Sequence, residues 1–154
     1  MLEALSQAFF FAAAALDNSF VFIALVLAAL FLTEKKPEKR NKVLLALAAA
    51  YLLVFAAKNI VMQPRPCWSA SALIECPPDY SMPSGHAAIA FTLMIAFLGT
   101  PYFPLYWVFA VLVAYTRIYL GVHTFGDVAA GLVVAPVAYH ITDLFWGAFV
   151  ERNR

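Results

Sequence analysis

The chain has 154 residues, 64% of them hydrophobic and only 12% charged, which is more apolar surface than a soluble domain of this length can bury in one core. Its net charge of +1 says little about partners, and its apolar runs, separated by short polar stretches, have the length a helix needs to cross a bilayer core of about 30 Å. The expected fold class is therefore all-α, a polytopic transmembrane helix bundle forming one domain over residues 1–154, with about five spans plus an N-terminal interfacial helix.

In chain order, the first apolar region runs from Ala4 to Leu32 and is interrupted by Leu16, Asp17, Asn18 and Ser19, a helix-stop and N-cap cluster. Two helices are expected there: residues 3–15, too short to span and lying in the interface, and residues 18–34, which cross. One long tilted helix is the competing reading. No secretory signal is evident, because the N-terminus lacks a basic region and Glu3 is its only early charge. A basic loop follows, with Lys35, Lys36, Lys39, Arg40 and Lys42; Arg152 and Arg154 end the chain. Beside hydrophobic spans such a loop is a cytoplasmic topology signal, although it can also attract acidic headgroups or nucleic acid. No nucleic-acid partner is expected.

A span over 43–62 carries Lys58 near its far end and is stopped by Gln63, Pro64, Arg65 and Pro66. A polar, proline-rich loop reaches Pro83, and a further span over 84–99 is entered through Ser84 and Gly85. Residues 100–104 turn the chain. The last two spans cover 105–120 and 125–148, the latter containing Pro136, which is expected to kink it. With the basic loop and the C-terminus cytoplasmic, counting crossings puts Lys58, Arg65, Ser84, His86, Arg117, His123 and Asp127 at the outer, extracytoplasmic ends of their helices. His140 and Asp143 then fall in the cytoplasmic half, in structural roles.

Each of these polar groups alone has a bland explanation, since helix-end cations snorkel and intramembrane charges pair. Lys58, Arg65 and Arg117, however, are the only cations outside the two basic clusters, and they lie on the face where positive charge is otherwise avoided. Gathered in a partly dehydrated pocket they repel one another by several kcal/mol at an effective dielectric near ~20, so an anion should compensate them, and phosphate fits best. The turn at Ser84, Gly85 and His86 adds backbone N–H groups at a helix N-terminus. His123 and Asp127 stand four apart, a spacing that lets the carboxylate hold one ring nitrogen and leave the other exposed, as for a nucleophile or base. His86 is available from another side as a proton donor. A metal held by His86, His123 and Asp127 is the rival reading; the three fixed cations oppose it, and neither metal nor other cofactor is expected. Cys67 and Cys76 share the outer loop, where an oxidising exterior permits a disulfide; free buried thiols are the alternative.

These residues fall into a three-part pattern. Lys58 is followed after six residues by Arg65 and Pro66; Pro83, Ser84, Gly85 and His86 are contiguous; Thr116 and Arg117 precede His123 and Asp127. The pattern resembles the type 2 phosphatidic acid phosphatase (PAP2) superfamily, from Lys58 to Gly131. Pro-Ser-Gly-His alone arises by chance in on the order of one in a thousand chains this long. Two positions depart from the family: Thr116 replaces the usual serine, keeping a hydroxyl, and Phe125 stands where proline is common. The resemblance implies that His123 attacks phosphorus to form a phosphohistidine, Asp127 orients it, His86 protonates the departing oxygen, and Lys58, Arg65, Ser84, Gly85 and Arg117 hold the phosphoryl oxygens, with no metal.

The leading expectation is a lipid phosphatase or pyrophosphatase acting on a lipid phosphate, with polyprenyl pyrophosphate, phosphatidylglycerophosphate and phosphatidate as candidate substrates. Transfer of the phosphoryl or headgroup to another acceptor uses the same chemistry, and alcohol acceptors outcompeting water would reveal it. An anion transporter is disfavoured by the lack of an inverted repeat and by charges gathered at one face rather than the midplane. The oligomeric state is not legible.

Overall fold

The computed structural model describes residues 2–152. It contains six α-helices, α1 (Leu2–Asp17), α2 (Ser19–Thr33), α3 (Pro37–Val61), α4 (Gly85–Ala96), α5 (Phe103–Tyr119) and α6 (Phe125–Arg152), plus a short 3-10 turn at Pro66–Trp68. No strand occurs among the described residues. The side chain of Arg152 and all of Arg154, which entered the topology argument, lie outside the described residues.

Asn18 separates α1 from α2. Its side chain accepts from the N–H groups of Phe20 at 3.0 Å and Val21 at 3.2 Å, supplying partners for first-turn donors that a helix cannot satisfy itself. The two helices meet at 87°, which overturns the reading of one long tilted helix. A second correction concerns the basic stretch. α3 starts at Pro37 rather than at Val43, because proline at the first helical position gives up an N–H that has no intrahelical partner. Lys39, Arg40 and Lys42 therefore lie on the first turns of a helix, not in a loop. The helix ends at Met62, whose φ of 50° is left-handed and whose N–H donates to the Lys58 carbonyl.

By length and apolarity α3 and residues Phe125–Ala148 of α6 can each cross a membrane, and the bent α1–α2 pair makes a third if it is one broken span. α4 and α5 are apolar but shorter, at 12 and 17 residues, so helix length alone does not fix a count of five. α4 is instead the centre of the bundle, packed by α3, α5 and α6. Its buried face is rich in small residues, Ala87, Ala88, Ala90 and Ala96, which lets neighbouring backbones approach closely. The tightest approach is at Gly131 of α6, where an added Cβ would sit 2.9 Å from the Ser84 carbonyl oxygen and 3.0 Å from the Ala88 nitrogen. α6 runs on as helix through Pro136. Large apolar side chains such as Phe20, Leu52, Ile60, Val133 and Phe145 point outward, as a helical membrane protein requires.

Candidate active site

The turn between α5 and α6 carries His123. Gly121, with φ of 76° and the Ala72 backbone 3.4 Å from where a Cβ would lie, lets the chain reverse tightly, and Leu73 N–H donates to the Leu120 carbonyl at 3.1 Å, tying the 63–83 loop to this turn. α6 then opens with a reciprocal cap. Asp127 N–H donates to Thr124 Oγ1 at 3.2 Å, while Thr124 N–H donates to Asp127 Oδ2 at 2.6 Å, the two-way arrangement of a capping box. Fully buried Asp127 is thereby aimed back at His123, with Oδ2 3.5 Å from Nδ1.

The other ring nitrogen faces a cation. Arg65 Nη1 lies 3.1 Å from His123 Nε2 and also donates to the Val122 carbonyl at 3.0 Å. A guanidinium has no acceptor, so Nε2 must accept and Nδ1 must carry the ring proton. Burial, reinforced by Arg65 and Lys58 and opposed by Asp127, holds the His123 imidazole below its ordinary range. The residue is thus neutral and in the tautomer whose Nε2 lone pair can attack.

The three cations converge, and the structure gives them carboxylate partners besides the phosphate that the sequence pointed to. Lys58 Nζ donates to Asp79 Oδ2 at 2.6 Å and also to the Tyr80 carbonyl. Arg65 Nη2 donates to Asp79 Oδ1 at 2.6 Å and its Nε to the Asp79 carbonyl at 2.8 Å. Partial burial works against the charged Asp79 carboxylate, yet these two cations hold its pKa below the usual range. Arg117, 1% exposed, pairs through Nη1 with Asp17 Oδ1 at 2.6 Å, reaches the Ala13 carbonyl, and donates to the Thr116 hydroxyl. Thr116, the departure from serine, thus keeps a working hydroxyl.

Lys58, Arg65, Gly85, His86, Arg117 and His123 line one cavity of about 720 Å³. Ser84 and Asp127 stand behind it. Ser84 is fully buried, its N–H is not free because it donates to the Asp127 carbonyl at 2.9 Å, and its Oγ has no hydrogen-bond partner among the described residues. That revises the notion of three open amides at this turn: Gly85 and His86 offer first-turn N–H groups, Ser84 does not. His86 Nε2 is buried without a hydrogen-bond partner among the described residues, and its ring packs 4.5 Å from that of Phe22. Away from this polar end the cavity continues among α2, α3 and α4 along Phe22, Val26, Leu47, Tyr51, Val54 and Ile89.

Cys67 and Cys76 are joined by a disulfide with Cα atoms 5.8 Å apart, closing part of the loop that supplies Arg65 and Asp79. Asp143 pairs with Lys42 at the opposite end of the bundle. Sequence reasoning missed Asp17, Asp79, Ser81 and Thr124 as members of this neighbourhood. The Thr124 to Asp127 spacing was a readable capping signal; Asp17 was read only as a helix stop, and nothing local marks Asp79 or Ser81.

The PAP2 superfamily model matches residues 39–150. Among curated proteins the chain is 33% identical over 102 residues to sphingosine-1-phosphate phosphatase 2 of Mus musculus, covering 58% of this chain and 29% of that protein. It is 36% identical over 119 residues to an undecaprenyl-diphosphatase of Sulfolobus acidocaldarius, covering 71% of this chain and 57% of that protein. The chain therefore spans less than a third of the mouse relative's length. Among solved structures, Aquifex aeolicus LpxE superposes with a TM-score of 0.71 at 30% identity, covering 90% of this chain and 85% of that one. The family match takes in His86, His123, Asp127 and all three converging cations, and on it the chain belongs to the PAP2 superfamily.

Proposed function

We propose that this chain is a membrane lipid phosphatase that hydrolyses a phosphate monoester or pyrophosphate through a phosphohistidine on His123, without a metal, in a single transmembrane domain. The observation that carries this reading is one cavity joining a cationic, two-histidine end to a long apolar limb. Along α3 the lining runs from Lys58 to Leu44, which at the helical rise of 1.5 Å per residue is about 21 Å, enough for a substantial length of acyl or prenyl chain. The headgroup would lie among Lys58, Arg65 and Arg117, whose charges match three phosphoryl oxygens and the charge developing in transition.

In the first step His123 Nε2 bonds to phosphorus while the bond to the lipid oxygen breaks, and that oxygen takes a proton from His86. The imidazolium Nδ1–H is held by Asp127. In the second step His86 accepts a proton from water, whose oxygen attacks phosphorus and breaks the Nε2–P bond, releasing phosphate. Arg65 Nη1, which donates to Nε2 in the structure, is already placed to shift its bond onto a phosphoryl oxygen. A divalent metal beside Lys58, Arg65 and Arg117, whose three charges outnumber the two carboxylates, Asp79 and Asp17, that pair with them, would be opposed electrostatically. The substrates that fit are polyprenyl pyrophosphate, phosphatidylglycerophosphate and phosphatidate; the names of the Sulfolobus and mouse relatives support a lipid pyrophosphate or phosphate. The basic start of α3 supports a cytoplasmic position for that end, with the site on the extracytoplasmic face and the C-terminus inside.

Phosphate release should be measured in EDTA across monophosphate and pyrophosphate lipids, with soluble phosphoesters as control. Release from at least one lipid is expected, with His123→Ala lowering it by on the order of a thousandfold or more. Full activity in that variant, or a strict metal requirement, would sink the proposal.

A further inference from the structure

Ser81 belongs to none of the three motifs, yet it is fully buried and its hydroxyl lies between His123 and Asp127. It donates to Asp127 Oδ2 and stands 3.4 Å from His123 Nδ1. Its backbone is fixed from both sides: its N–H donates to the Gln63 carbonyl at 2.8 Å, and Ser84, three residues on, donates its N–H to the Asp127 carbonyl at 2.9 Å. The backbone that carries the hydroxyl is thus held on both sides.

The direction of the serine proton follows from the partners. A hydroxyl has one proton to give, an ionised carboxylate only accepts, and Arg65 already requires the His123 ring proton to be on Nδ1. The Ser81 proton therefore goes to Asp127. Oδ2 faces three donors: Thr124 N–H at 2.6 Å, the Ser81 hydroxyl, and His123 Nδ1 at 3.5 Å, the longest of the three. Oδ1 has no partner among the described residues. Each donor that engages the carboxylate leaves less of its charge for the imidazole.

We propose that Ser81 is a positioning residue for the hydrolysis put forward above: its hydroxyl holds Asp127 in place and moderates that carboxylate's grip on Nδ1, so that His123 rests neutral with Nε2 ready to attack. The charged groups around His123 are Lys58 from α3, Arg65 from the following loop with Asp79 of the same loop paired to both cations, and Asp127 from α6, with His86 of α4, Arg117 of α5 and its partner Asp17 of α1 beyond them. Asp127 is the anion that faces Nδ1, whereas Asp79 is turned to Lys58 and Arg65, so a group that modulates Asp127 acts on the ring directly.

Ser81→Ala removes the donor and lets Asp127 bind Nδ1 more tightly, which favours the imidazolium. The acid limb of kcat/KM should then move up by about half to one pH unit. kcat should fall about tenfold with KM changed less than about twofold, and Ser81→Thr, which keeps the hydroxyl, should recover both. In an Asp127→Asn background, Ser81→Ala should cost less than about twofold, because the group it acts through is already neutral. Equal costs in both backgrounds, or a loss in the alanine variant with an unmoved acid limb, overturns the proposal. The 15N titration of the His123 ring in micelles supplies a readout independent of turnover: a higher midpoint in Ser81→Ala supports the role, and an identical midpoint overturns it. This inference rests on the lipid phosphatase reading, but the two fail separately. Absence of phosphate release by the wild type removes that reading, whereas the ring titration still decides whether Ser81 governs the dyad.

Discussion

Replacing Gly131 by alanine adds one methyl group at a residue outside the three motifs, and its neighbours leave that methyl no room. The new Cβ would stand 2.9 Å from the Ser84 carbonyl oxygen, 3.0 Å from the Ala88 nitrogen and 3.2 Å from the Ala87 Cβ. Ordinary contact needs 3.4 Å or more, and two of these neighbours are backbone, so no side-chain rotation relieves the overlap. α4 and α6 must part by several tenths of an ångström. Such overpacking costs about 1 to 3 kcal/mol, offset by about 0.5 to 1 kcal/mol from removing a mid-helix glycine, for a net loss centred on about 1 kcal/mol and reaching about 2.5 kcal/mol. The displaced segment begins at Ser84, bonded to the Asp127 carbonyl, and carries His86, so the two histidines separate and kcat should fall by about one to two orders of magnitude. Denaturant unfolding in micelles and phosphate release from lipid measure the two losses. Gly147→Ala on the same helix is the control, because nothing lies within 4 Å of its added Cβ; it should be neutral or slightly stabilising. A Gly131→Ala variant as stable and active as wild type would refute the claim that α4–α6 contact sets the histidine geometry.

Three further outcomes follow from the same structure. In the proposed mechanism His123 attacks only when unprotonated, and its environment depresses its pKa, so kcat/KM should persist as pH falls below the usual imidazole value of 6.5 and be lost only through the lowered one; a pH–rate profile with its acid limb at or above the usual value contradicts this. Reducing the Cys67–Cys76 bond, or replacing both cysteines by serine, should release about 2 to 3 kcal/mol of order in the loop bearing Arg65 and Asp79, seen as faster proteolysis there and lower activity; unchanged proteolysis is the contrary result. Asp17→Asn leaves the buried Arg117 guanidinium without its ion pair, which, discounted for the partial exposure of Asp17, should cost about 1 to 3 kcal/mol in unfolding measurements; an unchanged unfolding midpoint argues against that role.

The parts of this molecule legible in the sequence are those where chemistry restricts residue type at fixed spacing. His123 and Asp127 stand four residues apart, and Lys58, Arg65 and Arg117 are cations where a membrane protein has few, so the cavity lined by His123 and these three cations was foreseeable from their positions near helix ends. The parts that escaped depend on distant partners. Asp17 meets Arg117 across 100 residues, and Ser81 meets Asp127 across 46; no local period encodes either. The start of α3 was misplaced for a different reason: Lys39 and Arg40 are unfavourable near a helix N-terminus, yet Pro37 at the first position and Glu38 beside it, together with the Lys39–Glu34 ion pair, carry the helix through them. α4 looked like an ordinary span by hydropathy. Its 12 residues form a buried core helix, which periodicity cannot distinguish from a lipid-facing one.

The central claim is that His123 itself becomes phosphorylated. The most direct measurement is a rapid alkaline quench of the enzyme turning over a lipid phosphate, followed by peptide mass spectrometry with the label traced to a residue. The account predicts an acid-labile phosphoryl group on the peptide containing His123, on the imidazole nitrogen facing the cavity, and none in His123→Ala. A label on another residue, or steady turnover by His123→Ala, would contradict it.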